Sequence, residues 1–302
     1  MMRAAHTAAK PRAVKLSLRP LDRAAQLKYA REVARLAVRS LHEELCLYPK
    51  PGLVSLVDTG SHDDMDATTF MRSLFSLRHY FRKICLAGWN DAPFAQLKQL
   101  GIAAEAAMLK ATRGINTHRG AIFSLGMLCA TSGRARAQGT PTTPSALRAA
   151  MLIRWGEELA MHAAPTVPSS SNGLRVAARY AASGAREEGA LGLPSVFEIG
   201  VPALLASRKR GASMTHARID TLFALMAHIS DSNVYHRAGP QGAQTVRAHA
   251  QRFIDNGGTG NADWRTNALE SHRVFVRQRL SPGGAADLLA ASCLVHAIAA
   301  LK

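Results

Sequence analysis

The sequence predicts an all-α fold, in which many helices pack into a single globular domain and polar loops lie at the helix ends. Alanine, leucine and arginine are abundant and lose little on entering a helix, whereas aromatic residues make up only 6% of the 302 residues. Apolar residues recur every three or four positions in one segment after another. Apart from a brief alternation at Val274 and Val276, no run has the period of two that a strand needs.

The helix boundaries follow from apolar spacing and from residues that stop a helix. The first predicted helix follows Pro20 and ends near residues 48–52, where two prolines and a glycine prevent its continuation. The second begins at Asp66, and its apolar residues from Phe70 to Ile84 fall on one face. The same spacing predicts further helices over residues 95–112, 119–131, 145–163, 173–183, 195–207, 214–230, 242–255, 262–279 and 283–301.

The chain is predicted to consist of a short tail and one large domain. Residues 1–20 are basic and show no apolar period, so we expect a disordered tail there and a helical domain over residues 21–302. Two loops, Gly133–Ser145 and Pro165–Asn172, are rich in proline and hydroxyl residues. The second loop could divide two lobes, but helical patterns flank it on both sides.

The charge balance predicts an anionic partner without identifying it. The chain carries 38 Lys and Arg against 21 Asp and Glu, a net charge of +17 that attracts anions. Nucleic acid, a membrane surface and a polyphosphate metabolite are all compatible with this charge. A general compositional bias toward arginine and alanine explains it equally well.

The expected location is the cytoplasm. No run of about 18 apolar residues is present to span a membrane, and the first 23 residues lack the apolar core of a secretory signal. The four cysteines are far apart and form no C-x-x-C pair, which predicts free thiols in a reducing compartment.

Polar residues and glycines concentrate at four predicted helix boundaries, which we call the four polar segments. Loops on a rigid helical scaffold are where binding chemistry tends to lie, so we expect these segments to line one shared cleft. The four polar segments comprise residues 50–66, 112–120, 231–237 and 281–287.

The first polar segment holds Asp58, Asp63, Asp64 and Asp66, which are more carboxylates than one helix cap needs. Neighbouring carboxylates repel unless a proton or a cation lies between them, and Mg²⁺ takes carboxylate oxygens while it bridges to phosphate. The alternative is that Asp66 caps the following helix and the other three acids are solvated.

The second polar segment places Asn116, Thr117, His118 and Arg119 just before an apolar helix. Backbone N–H groups at that helix N-terminus would favour an anion, and Arg119 could grip phosphate oxygens with two donors. On spacing alone, an ordinary glycine-containing turn with Thr117 as the N-cap is the better explanation.

In the third polar segment, Asp231 follows an apolar helix whose C-terminus would repel it. The carboxylate therefore needs a cation partner, and we expect either Arg237 or a metal ion. A plain salt bridge would satisfy the same requirement.

The fourth polar segment reads as the start of a helix, with Ser281 as the N-cap and Pro282 as the first helical residue. Gly283 and Gly284 each cost about 1 kcal/mol relative to alanine, and their lack of a side chain would let a ligand approach the backbone. Asp287 lies one turn further on, where it suits a metal or ribose contact. Close packing between helices is an equally good explanation.

Taken together and in order, these segments resemble the triphosphoribosyl-dephospho-CoA synthase family. The resemblance runs from about Leu41 to the C-terminus, and no single motif carries it. Arg113 and Ala238 stand where the family usually has glycine, and Asp63 fills a position that the family leaves open. The motifs are K-P-G-L-V at 50–54, D-x-G-x-H-x-D-M at 58–65, E-x-x-M-L-x-A-T at 105–112, I-N-T-H-R-G-A-I-F at 115–123, D-S-N-V-Y-H-R at 231–237 and L-S-P-G-G-A-A-D-L-L-A at 280–290.

The resemblance implies a specific reaction. The family joins C1′ of the ribose of ATP to the 2′-hydroxyl of 3′-dephospho-CoA, and adenine leaves while the triphosphate is kept. The product then passes to a prosthetic-group transferase and an acyl-carrier subunit of malonate decarboxylase or citrate lyase. The wording L-Y-P-K-P-G-L-V-S at 47–55 is closer to the malonate decarboxylase branch.

The resemblance also implies roles for individual residues. The expected ligands of Mg²⁺ are Asp64, Asp231 and Asp287. The expected phosphate clamps are Lys50, Arg119 and Arg237. Glu105 is the candidate base, while Asp64 and His118 are the other catalytic candidates, and both His62 and His118 are candidates for adenine or hydroxyl contacts. The remaining substrate-binding candidates are Asn116, Ser281, Gly283 and Gly284.

Two other functions compete with this interpretation. A helical metal phosphohydrolase could use the pair His62 and Asp63, with His118 and His236 as further ligands. A nucleic-acid-binding protein would explain the net charge and the basic tail. Against this function, the sequence contains no helix-turn-helix, RRM or zinc pattern, and few aromatic residues are available for stacking.

Overall fold

All regular structure in the described part of the chain is helical, which confirms the all-α prediction. The computed structural model describes residues 21–164 and 184–301, and these contain eleven α-helices and no strand. In chain order the helices are α1 (Leu21–Leu45), α2 (Ala67–Trp89), α3 (Phe94–Ala111), α4 (Arg119–Ala137), α5 (Pro144–Ala163), α6 (Ala185–Ala190), α7 (Val201–Lys209), α8 (Met214–His228), α9 (Ser232–Asp255), α10 (Trp264–Arg277) and α11 (Gly283–Ala299).

Most predicted helices are confirmed to within a few residues at each end. A π-helical turn at Ser195–Gly200 leads directly into α7, so the helix predicted over residues 195–207 is made of two helix types. The predicted tail, the loop Pro165–Asn172 and the helix over residues 173–183 lie outside the described residues.

The loop predicted to begin at Gly133 was wrong, because α4 continues to Ala137. A Cβ atom on Gly133 would overlap the carbonyl oxygen of Cys85 in α2, and one on Gly88 would overlap that of Ala130 in α4. These glycines therefore let the backbones of α2 and α4 touch, at positions where any side chain would hold the helices apart. The glycine that predicted a loop in the sequence marks a position of close packing between two helices.

A second correction concerns α9, which begins ten residues before the predicted start at residue 242. Asp231 caps it, and a kink at Gly239 divides it into a first stretch that the sequence did not predict and a second stretch close to the predicted helix. Gly239 has a φ of 62° and a ψ of −160°, which are not helical values and which a glycine adopts readily, and Pro240 follows at the start of the second stretch. The third polar segment therefore lies on the first turn of a helix and not in a loop.

The centre of the molecule is formed by α4 and α11, which are buried on most of their surface. α4 packs on α2, α5 and α11, while α11 packs on α1, α4 and α8. Their many alanine, glycine and serine residues allow neighbours to approach on every side. The buried indole of Trp155 in α5 donates to the carbonyl oxygen of Ala92 at 3.0 Å, which ties α5 to the α2–α3 turn.

The long loop between α1 and α2 is fixed against the turn that precedes α11. The buried hydroxyl of Ser61 donates to the carbonyl oxygen of Leu280 at 2.6 Å. Gly52 has a φ of 70°, and a Cβ atom there would overlap the same carbonyl oxygen. This docking brings the first polar segment next to the fourth.

Candidate active site

One cavity of about 820 Å³ lies where α3, α4, α9 and α11 meet the α1–α2 loop. All four polar segments contribute to its wall, so the expected shared cleft is confirmed. Among the residues singled out from the sequence, those that line it are Lys50, His62, Glu105, Asn116, Thr117, His118, Arg119, Asp231, His236, Arg237, Ser281, Gly283, Gly284 and Asp287.

Asp231 joins the N-termini of two helices. Its Oδ1 accepts the backbone N–H of Asn233 in α9 at 2.9 Å, and its Oδ2 accepts the backbone N–H of Ala285 in α11 at 3.0 Å. Burial raises the pKa of Asp231, while these backbone donors act in the opposite direction. The expected partnership with Arg237 was wrong, because Asp231 stands at the start of a helix and takes its positive partners from backbone N–H groups.

The glycines of the fourth polar segment make room for this carboxylate. A Cβ atom on Gly284 would lie 3.0 Å from Oδ2 of Asp231, and one on Gly283 would lie 3.1 Å from the side-chain nitrogen Nδ2 of Asn233. The predicted N-cap Ser281 was also wrong, since Pro282 occupies that position without a side-chain bond. The close approach expected for a ligand is made here by Asp231.

Asp287 lies one turn into α11 and faces the N-terminus of α4. Its pKa is raised well above the usual range by burial first, and then by the carboxylates of Glu44 and Asp231, while the backbone N–H of Ala121 opposes the shift. A Cβ atom on Gly120 would overlap Oδ2 of Asp287, so this approach requires glycine. Carboxylates therefore hold backbone donors of both α4 and α11 that would otherwise bind an anion.

Lys50 supplies one compensating charge for these acids. Its ammonium group is 1% exposed and lies 2.6 Å from Oε1 of Glu44, which is 5% exposed, and it also donates to the carbonyl oxygen of Glu44 at 3.0 Å. Lys50 was predicted to clamp phosphate, and the structure places it in a buried ion pair on the cavity wall. Glu44 was missed because it lies on α1, within a run of ordinary helical spacing.

His118 is held in one neutral form by a chain of hydroxyl groups. The hydroxyl of Thr117 donates to Oγ of Ser73 at 2.6 Å, and Oγ of Ser73 lies 2.6 Å from Nδ1 of His118. Burial, followed by the nearby charge of Lys50, lowers the pKa of His118 to about 3. We assign the tautomer that continues this chain of donors, in which Ser73 donates its own hydrogen to Nδ1 and the ring carries its proton on Nε2.

This Nε2–H group is a buried donor without a partner among the described residues. His118 is 2% exposed and lines the cavity, with Phe70 edge-on to its ring at 5.0 Å between centroids. A buried donor that is left unpaired costs about 1–3 kcal/mol, so a ligand acceptor at this point would be favoured. Ser73 was not singled out from the sequence, although a hydroxyl residue on the apolar face of α2 could have indicated its role.

His62 connects three of the four polar segments. Its Nε2 lies 2.8 Å from Oγ of Ser281, and its Nδ1 accepts from the guanidinium of Arg237 at 3.0 Å. Arg237 also donates to the carbonyl oxygen of Ser61 at 3.1 Å. Burial, then the positive charge of Arg237, lowers the pKa of His62, while Asp64 opposes the shift from 3.6 Å.

Asp64 stands apart from the other predicted metal ligands. Its side chain is 62% exposed beside His62, and it does not line the cavity, whereas Asp231 and Asp287 both do. The structure brings two of the three predicted carboxylates together and leaves Asp64 at the rim.

Glu105 and Arg119 form an ion pair across the cavity wall. Oε1 of Glu105 in α3 lies 2.5 Å from Nη2 of Arg119 at the start of α4, and both side chains keep contact with solvent. Asn116 caps this turn, because its Oδ1 accepts the backbone N–H of Arg119 at 3.2 Å. Thr117 was predicted as the possible cap, but its hydroxyl is used by Ser73.

The carboxylates of the cavity can bind Mg²⁺ only if substrate phosphates supply further oxygen ligands. Across residues 21–164 and 184–301, no group of three or more His, Cys, Asp or Glu side chains is placed to hold a metal ion. Mg²⁺ usually takes one or two carboxylates and completes its shell with water and phosphate. Asp231 and Asp287 meet that requirement, and the backbone N–H groups of Ala285 and Ala121 orient their carboxylates.

Comparison with known proteins identifies the family. A family model described as ATP:dephospho-CoA triphosphoribosyl transferase matches residues 30–302. The chain belongs to this family. The transferase is 38% identical over 262 residues to a protein of Acinetobacter calcoaceticus, which covers 87% of the chain and 89% of the relative. It is 39% identical over 274 residues to a protein of Pseudomonas putida, which covers 89% of the chain and 95% of the relative.

A relative from Vibrio cholerae serotype O1 (strain M66-2) is 37% identical over 283 residues, with 90% of the chain and 89% of the relative covered. All three relatives carry the name "Probable 2-(5''-triphosphoribosyl)-3'-dephosphocoenzyme-A synthase". No solved structure matches the transferase significantly. These names do not separate the malonate decarboxylase branch from the citrate lyase branch.

Family membership confirms the activity predicted from the motifs, which is triphosphoribosyl transfer from ATP to dephospho-CoA. The phosphohydrolase alternative needed several histidines around one metal ion, and the described residues contain no such group. None of the described helices is both long and apolar enough to cross a membrane.

Proposed function

We propose that this transferase binds the triphosphate of ATP between Arg119 and Arg237, and that Asp231 and Asp287 would hold the accompanying Mg²⁺. The observation that carries this proposal is the convergence of all four polar segments on one cavity. Backbone donors of α4 and α11 are held by carboxylates, so the arginines are the groups that can grip phosphate directly. When bound, the ion would neutralise phosphate charge and orient the triphosphate.

The reacting ribose belongs next to Glu105. Breaking the bond to adenine builds positive charge on the ribose, as in glycoside hydrolysis, and a nearby carboxylate stabilises that charge. We assign Glu105 as the group that takes the proton of the incoming 2′-hydroxyl. In the structure Glu105 is paired with Arg119, and transfer of Arg119 to a phosphate oxygen would release the carboxylate for this role.

His118 is assigned to the departing adenine. Its pKa of about 3 keeps the ring neutral, so it donates a hydrogen bond and does not deliver a proton. The unpartnered Nε2–H group would stabilise the negative charge that adenine gains as it leaves. His62 and Ser281 form the neighbouring wall and would contact hydroxyl groups of the substrate.

The product is a prosthetic-group precursor, and we infer that it passes to a prosthetic-group transferase and then to an acyl-carrier subunit. The wording of residues 47–55 supports the malonate decarboxylase branch. ATP and dephospho-CoA are both metabolites of the cytoplasm, which supports the expected location.

The decisive experiment is to incubate the purified protein with ATP, Mg²⁺ and 3′-dephospho-CoA. We expect free adenine by chromatography and one adduct by mass spectrometry, in which dephospho-CoA has gained the triphosphoribosyl group. Formation of ADP or AMP without adenine would point to phosphohydrolysis and would overturn the proposal. Dephospho-CoA without ATP serves as the control for background breakdown.

A further inference from the structure

The cavity extends well beyond the residues assigned above. On α3, the residues Lys98, Gly101, Ile102 and Glu105 follow the i, i+3, i+4, i+7 spacing of one helix face, and all of them line the cavity. Seven residues of an α-helix span about 10 Å. The cavity therefore continues from Glu105 to a second end near Lys98, at a distance comparable to one extended nucleotide.

This second end is basic. Lys98 and Arg186 both line it, and neither has an ion-pair partner among the described residues. The acids nearest to Arg186 on α6 are engaged elsewhere, since Glu187 accepts the backbone N–H of Gly184 at 2.9 Å and Glu188 accepts from Ser195. Burial, then the charges of Arg186 and Lys98, lowers the pKa of His162 to about 4, so this imidazole is neutral near pH 7.

Aromatic rings form the wall beside the two cations. The ring centroids of Phe94 and His162 lie 5.4 Å apart, and the ring of Phe123 is nearly parallel to that of His162 at 6.3 Å. All three rings line the cavity. A Cβ atom on Gly189 would overlap the ring of Phe123, so α6 packs directly against this wall. Two cations beside aromatic faces are the chemistry that recognises a nucleotide diphosphate.

We propose that this second end, formed by Lys98, Arg186, Phe94, Phe123 and His162, is the acceptor subsite, with the two cations on the diphosphate of 3′-dephospho-CoA. The inference rests on the proposed function, in which two polyanionic nucleotides must be bound at the same time. The arginines at the first end, Arg119 and Arg237, are committed to the triphosphate of ATP. An acceptor held at Lys98 reaches along α3 toward Glu105, where its 2′-hydroxyl would react.

The test is steady-state kinetics with each substrate varied in turn, on Lys98→Ala, Arg186→Ala and the double variant. We expect the KM for 3′-dephospho-CoA to rise roughly tenfold or more for each lost cation, while the KM for ATP and kcat stay within about twofold. Lys98→Arg should retain most of the acceptor affinity. Lys110→Ala is the matched control, because Lys110 is an exposed lysine of the same helix that does not line the cavity.

Calorimetry of 3′-dephospho-CoA binding in the absence of ATP gives a second measurement that does not depend on turnover. The double variant should bind it at least tenfold more weakly and bind Mg²⁺-ATP as well as the wild type does. A rise in the KM for ATP, or an unchanged KM for the acceptor in an active enzyme, would overturn the subsite alone. A wild-type protein that releases no adenine would overturn the proposed function as well.

Discussion

Asp231 and Ala285 are 54 positions apart in the chain, yet the carboxylate of the first accepts the backbone N–H of the second at 3.0 Å. A single side chain thus caps its own helix α9 and also the N-terminus of α11. This contact fixes the third polar segment against the fourth. It also explains why neither helix needs a serine or threonine cap at this point.

Replacement of Asp231 by alanine should loosen two helices at once. Loss of the cap and of the acceptor for Ala285 should lower the free energy of unfolding by about 1–3 kcal/mol. Amide hydrogen exchange should accelerate in the first turns of both α9 and α11. Asp66→Ala is the control, because Asp66 caps only α2, through the backbone N–H of Thr69 at 2.8 Å. If exchange in α11 were unchanged in Asp231→Ala, the double cap would be refuted.

Replacement of Asp287 by asparagine should stabilise the fold at neutral pH. The pKa of Asp287 is raised by burial, Glu44 and Asp231, so this group opposes folding at pH values above the ordinary pKa of an aspartate, and the penalty grows with pH until the folded-state pKa is reached. We expect the free energy of unfolding to rise by about 0.5–2 kcal/mol at pH 7. The gain should shrink as the pH falls toward the ordinary pKa of an aspartate, where the carboxyl group is protonated in the folded and the unfolded wild-type protein alike.

Urea unfolding at several pH values measures this difference. A variant that is less stable than the wild type at pH 7 would contradict the penalty that burial and the neighbouring acids place on the charged form of Asp287. Asp66→Asn is a suitable control, since hydrogen bonds from Thr69 lower the pKa of Asp66 and its ionised form therefore favours folding.

The sequence predicted the helices and the residues of the cavity, because apolar spacing sets helix faces and the motifs mark the loops between them. It did not predict what those residues do to one another. Gly133 looked like a loop residue and proved to be a helix contact, since only the crossing of α2 and α4 reveals why a side chain is excluded. Asp231 looked like an unpaired acid because its partner Ala285 comes from a distant helix.

The same limit applies to residues that were missed. Glu44 and Ser73 lie within regular helical spacing, and only their tertiary neighbours, Lys50 and His118, give them a role. A motif shows which residues belong to the site. The pairing of charges within the site depends on distances that the one-dimensional pattern does not contain.

Ser73 is a positioning residue whose removal should change the state of His118. Without the Ser73 hydroxyl, Nδ1 of His118 loses its donor and the ring is no longer held with its proton on Nε2. We expect Ser73→Ala to lower kcat about 10–100-fold with little change in the KM for ATP. Ser76→Ala is the control, because the Ser76 hydroxyl bonds only to the backbone of its own helix.

Two measurements separate this role from a general loss of packing. Nitrogen NMR of the histidine rings should show one neutral form of His118 in the wild type and a mixture in Ser73→Ala. The double variant Ser73→Ala/His118→Asn should be no slower than His118→Asn alone, because both changes remove the same donor. Losses that multiply would mean that Ser73 acts independently of His118.

Substitutions of Glu105 and Arg119 should change different kinetic constants, although the two side chains form one ion pair. Glu105→Gln removes the proposed base and should lower kcat about 10²–10⁴-fold, with the KM for ATP nearly unchanged. Arg119→Ala removes a phosphate clamp and should raise the KM for ATP about tenfold or more. Arg113→Ala, an exposed arginine of the same loop, is the control for lost positive charge. Nearly full kcat in Glu105→Gln would remove it as the base.

Asp64 and Asp287 allow the metal assignment to be decided. Both residues lie in motifs of the family, but only Asp287 lines the cavity. The side chain of Asp64 is 62% exposed beside His62. We therefore expect Asp287→Asn to lower adenine release at least about 100-fold and to weaken the dependence on Mg²⁺. Asp64→Asn should lose less than about tenfold and keep the Mg²⁺ titration of the wild type, since an exposed carboxylate contributes little through water. Adenine release measured across a Mg²⁺ series compares the two directly. Complete loss in Asp64→Asn, together with a changed Mg²⁺ titration, would contradict this expectation and return Asp64 to the role of metal ligand that was expected from its motif.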